Sequence, residues 1–196
     1  MKKILFSVLS VLLVAVILFG ASWALRSLAQ VNAQKEHIRL LQTLLPGSEA
    51  FTLEPYYGED GNIRSVHKGE NGFVVETCTY GYAGEITMLI GVSSQGKVTG
   101  LTVLDMSETF GLGANALTDH EFLAQFLNTS GDVAIQTGDA DTFSSATNST
   151  ESEDSTYVDG ITGATVTSKA IARSINSAVA YVTGADVESG ATSWGG

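Results

Sequence analysis

A glycine-rich turn runs directly into a helical pattern near the C-terminus, and this junction constrains the fold more than any other stretch. It reads Asp159-Gly160-Ile161-Thr162-Gly163-Ala164-Thr165-Val166-Thr167-Ser168-Lys169. The glycines allow another group to approach the backbone closely. The first N–H groups of the helix lack internal partners and carry the positive end of the helix dipole. The junction therefore predicts either an anion-binding site, assisted by Lys169 and Arg173, or an ordinary helix capped by Ser or Thr.

This junction resembles the D-G-x-[ST]-G-A-T motif of the FMN-binding domain family. The family includes the G subunit of the Rnf electron-transport complex and the C subunit of the sodium-pumping quinone reductase. In that family, a flavin transferase attaches FMN to the last Thr of the motif through a phosphoester bond. The resemblance therefore implies covalent FMN at Thr165. The other positions that match the motif are Asp159, Gly160, Thr162, Gly163 and Ala164, and Lys169 lies just beyond it.

Two upstream segments resemble the same family in the expected order. Gly81–Ile86 is similar to G-Y-x-G-x-I, and Glu108–Gly113 is similar to E-T-P-G-L-G, with Phe110 in place of the usual proline. Alone, the second segment is equally typical of a strand-to-helix connection. Its glycines permit close approach to a flat ring, and its polar residues either bond the ring edges or hold the loop. The resemblance assigns these residues to the flavin site: Glu108, Thr109, Gly111, Leu112 and Gly113.

The N-terminus carries an uncharged run, Ile4–Leu25, preceded by Lys2 and Lys3. As a helix it would be about 33 Å long, enough to span a bilayer. We expect a transmembrane anchor over residues 1–25, with the N-terminus cytoplasmic and the following domain outside the cell membrane. The alternative is a signal peptide cleaved after Ala24. A stalk helix over residues 26–47 follows, ended by Pro46-Gly47.

From Phe51 onward the pattern favours short strands separated by turns. The predicted strands are Ile63–Lys68, Phe73–Tyr80, Ile86–Val92 and Val98–Leu104. Short links between them favour an antiparallel meander. The C-terminal helix places one apolar face on this sheet, formed by Ile171, Ile175, Ala178, Val179 and Val182. We therefore predict an α+β domain over residues 48–184, which the resemblance identifies as an FMN-binding domain.

Three further segments carry predictions. Thr118–Glu121 predicts a capping box that opens a helix through Leu127. Residues 138–156 are polar and acidic, and predict a solvated excursion that the flavin site does not need. Residues 185–196 predict a flexible tail. Within it, Asp186–Thr192 also fits the looser pattern D-x-x-[ST]-G-A-T, but nothing helical or apolar follows, so Thr165 rather than Thr192 is the predicted acceptor.

Charge and cysteine content exclude several classes of function. The net charge is −11, and no Lys or Arg lies between Thr99 and Ser168. Such a surface repels phosphate backbones, so we expect no nucleic-acid partner. Cys78 is the only cysteine, which rules out an internal disulfide and predicts a small buried apolar side chain. The three histidines lie apart without a metal-binding spacing, and no hydrolase motif is present, so we predict no metal site and no catalytic residue.

The resemblance implies a membrane-anchored flavoprotein, most similar to the G subunit of the Rnf complex. Such a protein relays electrons between ferredoxin and NAD within an ion-translocating oxidoreductase, and its flavin supplies the redox chemistry. The implied partners are the other subunits of the complex and a flavin transferase. One alternative is a stand-alone anchored flavoprotein for extracellular electron transfer or another reductase. Another is a non-redox module in which the hydroxyl-rich turn only caps a helix.

Overall fold

The computed structural model describes residues 16, 18–20, 32, 34–136 and 156–184. The chain divides into two compact units, Met1–Leu40 and Leu41–Gly196. Within the described ranges, no helix combines the length and apolar character needed to cross a membrane. Apart from residues 16 and 18–20, the Ile4–Leu25 run lies outside those ranges, as do the excursion up to residue 155 and the tail with Thr192. The anchor, the tail and the excursion therefore stay predictions.

Five strands of the second unit form one antiparallel meander in the spatial order β1 to β5. They are β1 (Thr52–Glu54), β2 (Ile63–Lys68), β3 (Gly72–Tyr80), β4 (Glu85–Ser93) and β5 (Val98–Met106). The four predicted strands, from β2 to β5, are confirmed with small differences at their ends. The short strand β1 was not predicted. Because tight turns join β2 to β5, each strand pairs with the next one along the chain.

One face of the sheet packs against the long helix α4 (Thr165–Thr183). The predicted apolar face of this helix is confirmed: Ile171, Ile175, Ala178 and Val179 are buried. Each large apolar side chain buried in this way contributes about 1.5–3 kcal/mol. Thr79 on β3 adds a polar contact, because its hydroxyl donates to the carbonyl oxygen of Ala170 at 3.2 Å. Burial against the sheet therefore holds α4 in place on the domain.

Residues 34–44 form a helix, called α1. Its last turn packs against two glycines on neighbouring strands. The side chains of Leu41, Leu44 and Leu45 are buried. A Cβ at Gly91 would overlap the Leu44 carbonyl oxygen, and one at Gly100 would lie 3.0 Å from Leu44 Cα. Since the two glycines are paired across β4 and β5, they form one shallow site for this backbone. The predicted stop before Pro46 is confirmed.

Two short helices, α2 (Gly113–Thr118) and α3 (His120–Ala124), follow the sheet. The predicted capping box is wrong, because Asp119 caps α3 by accepting from the Glu121 and Phe122 N–H groups at 2.9 and 3.1 Å. Thr118 still belongs to α2, where its hydroxyl donates to the carbonyl one turn earlier. The helix also ends before the predicted Leu127. Phe122 and Phe126 are buried in the core.

A second sheet holds two strands, β6 (Val133–Gln136) and β7 (Thr156–Asp159), which pair in parallel. The Asn176 side chain of α4 binds both backbone groups of Val133, at 2.9 and 3.1 Å. This contact attaches β6 to α4 along one side. The carboxyl end of β7 then leads directly into the turn that precedes α4.

Candidate functional site

The helix α4 begins without a side-chain cap. Its N-cap is Ala164, and the residue before it, Gly163, has φ of +81°, which favours glycine. The Ser168 N–H donates to the Ala164 carbonyl at 2.8 Å and makes the first backbone bond of the helix. The N–H groups of the first three helical residues therefore have no acceptor within the helix. The expectation of a Ser- or Thr-capped helix is wrong, and this end is open to an anion.

The four hydroxyl residues of the turn have different environments. Thr162 is exposed, and Thr165, the first helical residue, is partly buried at the surface. The Ser168 hydroxyl donates to the Ala164 carbonyl at 2.9 Å and accepts from the Ile161 N–H at 3.3 Å, which closes the turn. The Thr167 hydroxyl is fully buried and has no hydrogen-bond partner. Thr165 is therefore the reachable hydroxyl at the start of the helix itself.

The carboxylate of Glu108 holds the second predicted segment against the first. One oxygen, Oε1, accepts from the Tyr82 N–H at 2.7 Å. The other, Oε2, accepts from the N–H groups of Thr109 at 3.2 Å and Ala83 at 3.4 Å. A carboxylate that binds several N–H groups acts as a fixed anchor for the backbone. Of the two roles considered for Glu108, holding the loop is the one that its contacts support.

Glycine positions bring all three motif segments together. A Cβ at Gly81 would overlap the Glu108 carboxylate, and one at Gly113 would lie 2.5 Å from Glu108 Oε2 and 2.7 Å from Thr167 Oγ1. A Cβ at Gly163 would lie 3.3 Å from the Leu112 side chain. The turn at 81–84, the loop at 108–113 and the start of α4 are thus neighbours. The absence of side chains at these glycines permits the close approach.

The remaining predicted residues surround this junction with different roles. Asp159 ends β7, where its N–H donates to the Gln125 side chain at 3.0 Å, and the Gly160 N–H donates to the Gln136 carbonyl at 2.7 Å. Lys169 is exposed on the first turns of α4. The Arg173 guanidinium donates to the Tyr80 carbonyl at 2.9 Å, directly before the turn at 81–84. Of the two cations, Lys169 is the one closer in sequence to the start of α4.

An exposed apolar rim lies on these same segments. Phe110, at the position of the family proline, is 96% exposed, and the neighbouring Gly111 has φ of +85° with open space around it. The other exposed apolar side chains are Tyr82, Leu112 and Val166. Such a rim offers flat apolar surface to an aromatic ring. Motif matching did not single out Val166 or the buried Thr167, because a side chain's exposure depends on tertiary packing.

The group that this arrangement fits is a phosphorylated aromatic molecule. An uncapped helix terminus and a glycine turn suit a phosphate, while the apolar rim suits a ring system. Among residues 34–136 and 156–184, no cluster of His, Cys, Asp or Glu has the geometry of a metal site. The single cysteine, Cys78, is buried as predicted.

Fold and site together define an α+β domain that presents an open helix terminus to an anionic aromatic group. The FMN-binding domain family matches residues 81–180, which include all three motif segments. The chain belongs to the FMN-binding domain family, as its motifs predict.

Known proteins that are similar to this chain include G subunits of ion-translocating oxidoreductase complexes. The chain is 35% identical over 167 residues to the G subunit of the ion-translocating oxidoreductase complex of Methanosarcina acetivorans, covering 79% of this chain and 78% of the relative. It is also 35% identical to the G subunit of the Na(+)-translocating ferredoxin:NAD(+) oxidoreductase complex of Acetobacterium woodii, over 55% of this chain and 47% of the relative. A crystal structure of the C subunit of the Na(+)-translocating NADH-quinone reductase from Parabacteroides distasonis aligns with a TM-score of 0.43 and 22% identity, over 61% of this chain and 60% of that chain.

Proposed function

We propose that this chain is the G subunit of an Rnf-type ion-translocating ferredoxin:NAD oxidoreductase, in which it relays electrons through bound FMN. The observation that carries the proposal is the meeting of three motif segments at the open start of α4, inside the region that matches the FMN-binding domain family. The relative from Methanosarcina acetivorans supports the assignment to an ion-translocating complex, because the similarity extends over most of both chains.

The flavin is held covalently in this proposal, through a phosphoester to Thr165. Thr165 is the first residue of α4 and is partly accessible, next to N–H groups without helical acceptors. A phosphodiester there keeps about one negative charge, which the helix terminus stabilises by about 0.3–2 kcal/mol, depending on burial. Lys169 adds a cation on the same turns. FMN supplies the electron-accepting and electron-donating chemistry, and the protein needs no general acid or base of its own.

The residues around Thr165 divide into three groups by what they do. Gly163 and Ala164 keep the approach to the helix terminus free of bulky side chains. Glu108 fixes the loop that carries Leu112. Tyr82, Phe110 and the other rim residues would hold the ring system by apolar contact. Phe110 offers exposed apolar surface at the position where the family has a proline.

Membrane attachment and partners complete the proposal. A single span over Ile4–Leu25, with Lys2 and Lys3 on the cytoplasmic side, places the domain outside the cell membrane. Covalent attachment then prevents loss of FMN by dilution. The partners are the other subunits of the complex and, during maturation, a flavin transferase. Recovery of a mature chain that begins at Leu25 would contradict the retained span.

The decisive experiment co-expresses the full chain with a flavin transferase and measures its intact mass. We expect a gain equal to one FMN phosphoester, mapped to the peptide that contains Thr165. Thr165→Ala should abolish in-gel flavin fluorescence under denaturing conditions, while the matched control Thr192→Ala should leave it unchanged. Loss of the fluorescent band in the Thr192 variant alone would show that the site is misplaced.

Assembly is tested separately by purifying the tagged chain from its native membrane. Co-purification of the other oxidoreductase subunits, with ferredoxin-dependent NAD reduction, is the expected result. A flavin-loaded chain that is recovered alone, in membranes where such subunits are present, would contradict membership of the complex.

A further inference from the structure

One buried hydroxyl group in the flavin site has no hydrogen-bond partner. Among the described residues, three buried side-chain atoms share this property, namely Asp60 Oδ2, Thr77 Oγ1 and Thr167 Oγ1. Of these, only Thr167 lies among the motif segments. A buried donor without an acceptor destabilises a protein, because its hydrogen bonds to water are lost and not replaced. This arrangement therefore favours any state in which the hydroxyl finds an acceptor.

The carboxylate of Glu108 is an acceptor that adjoins the same space as this hydroxyl. A Cβ at position 113 would lie 2.5 Å from Glu108 Oε2 and 2.7 Å from Thr167 Oγ1, so both oxygen atoms adjoin the same small space beside Gly113. Only a glycine at position 113 leaves the space between the two oxygens free. An ionised carboxylate accepts hydrogen bonds and a hydroxyl donates them, so the two groups are complementary.

We infer that Thr167 is a positioning residue of the flavin site, whose hydroxyl donates to the Glu108 carboxylate when the loop at 108–113 closes over the start of α4. This inference rests on the proposed function. The bond would join the core helix to the side chain that already holds Tyr82 and Thr109. Closure at the first turn of α4 would thereby fix all three motif segments at once.

The tip of this loop is exposed and has open space around it. Phe110 at its tip is almost fully exposed, and a Cβ on Gly111 would meet no atom within 4 Å. On the inner side, the Leu112 side chain lies against Gly163, next to the predicted attachment residue. Through this contact, a group that binds at the turn would affect the position of the loop.

The test compares Thr167→Val with Thr167→Ser in the full chain, each with and without flavin loading. Valine keeps the shape of threonine and removes the hydroxyl, while serine keeps the hydroxyl. Hydrogen exchange at the amides of residues 81–84 and 108–113 reports closure. We expect loading to raise protection about tenfold or more in the wild type and in the serine variant, the factor that one hydrogen bond to a charged group provides. The valine variant should lose this gain.

The unfolding temperature of the flavin-free protein gives a second readout. If the hydroxyl is unpaired before loading, Thr167→Val should unfold at the same temperature as the wild type or at a higher one. A lower unfolding temperature would mean that the hydroxyl is already paired, and would overturn the inference. Equal loading-induced protection in the valine variant and the wild type would overturn it too.

The two proposals fail through different measurements. A wild-type chain that gains no FMN mass overturns the proposed function, and the inference with it. If the wild type carries FMN, and the valine variant gains the same protection on loading as the wild type, only the role of Thr167 is overturned.

Discussion

The hydroxyl of Thr99 donates a hydrogen bond of 2.6 Å to the carbonyl oxygen of Leu44. Thr99 lies on the edge strand β5, and Leu44 ends α1. Carbonyl groups in the last turn of a helix have no helical donor, so this bond satisfies one of them. It acts beside the two glycines that receive the Leu44 backbone.

Removing this bond should weaken the attachment of the helix end to the sheet. Thr99→Val keeps the side-chain shape and should lower the free energy of unfolding by about 0.5–1.5 kcal/mol, the usual net value of a hydrogen bond. Urea unfolding of the full chain measures the change. Thr99→Ser, which retains the donor, should lose less, and equal losses in both variants would argue against a role for the bond.

Gly163 requires a backbone angle that other residues adopt at a cost. Its φ is +81°, and a Cβ would also lie 3.3 Å from Leu112. Gly163→Ala should therefore lower the free energy of unfolding by about 1–2 kcal/mol, and should reduce the fraction of protein loaded with FMN. Gly61→Ala is a suitable control, because a Cβ at Gly61 meets no atom within 4 Å. Normal loading of the Gly163 variant would contradict the importance of the turn geometry.

Tyr80 and Glu85 give a prediction on pH. The Tyr80 hydroxyl donates to the Glu85 carboxylate at 2.7 Å, and this bond, aided by the negative charge, raises the pKa of Tyr80 above its ordinary value of 10.0. Because the pKa is raised in the folded state, the pair stabilises the protein fully when the pH is below the ordinary pKa of 10.0. The stabilisation is lost as the pH rises through the pKa of the folded state.

Glu85→Gln should lower the pKa of Tyr80 toward its ordinary value. Titration of the tyrosine signals by NMR measures it, and Tyr80→Phe identifies the resonance. An unchanged pKa in the glutamine variant would show that the contact with Glu85 does not control this group.

The link between β6 and β7 should tolerate shortening only to a limit. The strands are parallel, so the chain must return along the length of a strand, and such connections usually need a dozen residues or more. Replacing residues 138–155 by about 12 residues of Gly and Ser should leave FMN loading intact, since the return path is preserved. A link of about two residues should break the pairing and lower both loading and stability. If the longer link also prevented loading, the native segment would belong to the site or to the transferase contact.

Local sequence patterns predicted the parts of the fold that depend on neighbouring residues. Alternation and tight turns placed β2 to β5, and the helical period of Ile171, Ile175 and Val179 placed α4. The parallel pairing of β6 with β7 was missed because four-residue strands carry little local signal, and because β6 is held in place by Asn176 on a helix that is distant in sequence.

Only part of the candidate site could be predicted, for a similar reason. Its motif letters named the three segments, and the family match confirms that they belong to an FMN-binding domain. Their contacts depend on packing, which the letters do not contain. The uncapped start of α4 at Ala164, the diversion of Arg173 to a strand carbonyl and the unpaired hydroxyl of Thr167 are all of this kind.

The position of α4 has a consequence for the order of events in maturation. Much of this helix is core, and helices in proteins gain most of their stability from such packing, so we expect its first turn to become stable only when the sheet has formed. Until then, Thr165 and Thr192 lie in similar sequences on an unfolded chain. If the proposed attachment at Thr165 is correct, selective modification of this residue has to follow folding. The flavin content of a purified sample would then record how much of the chain had folded when the transferase met it.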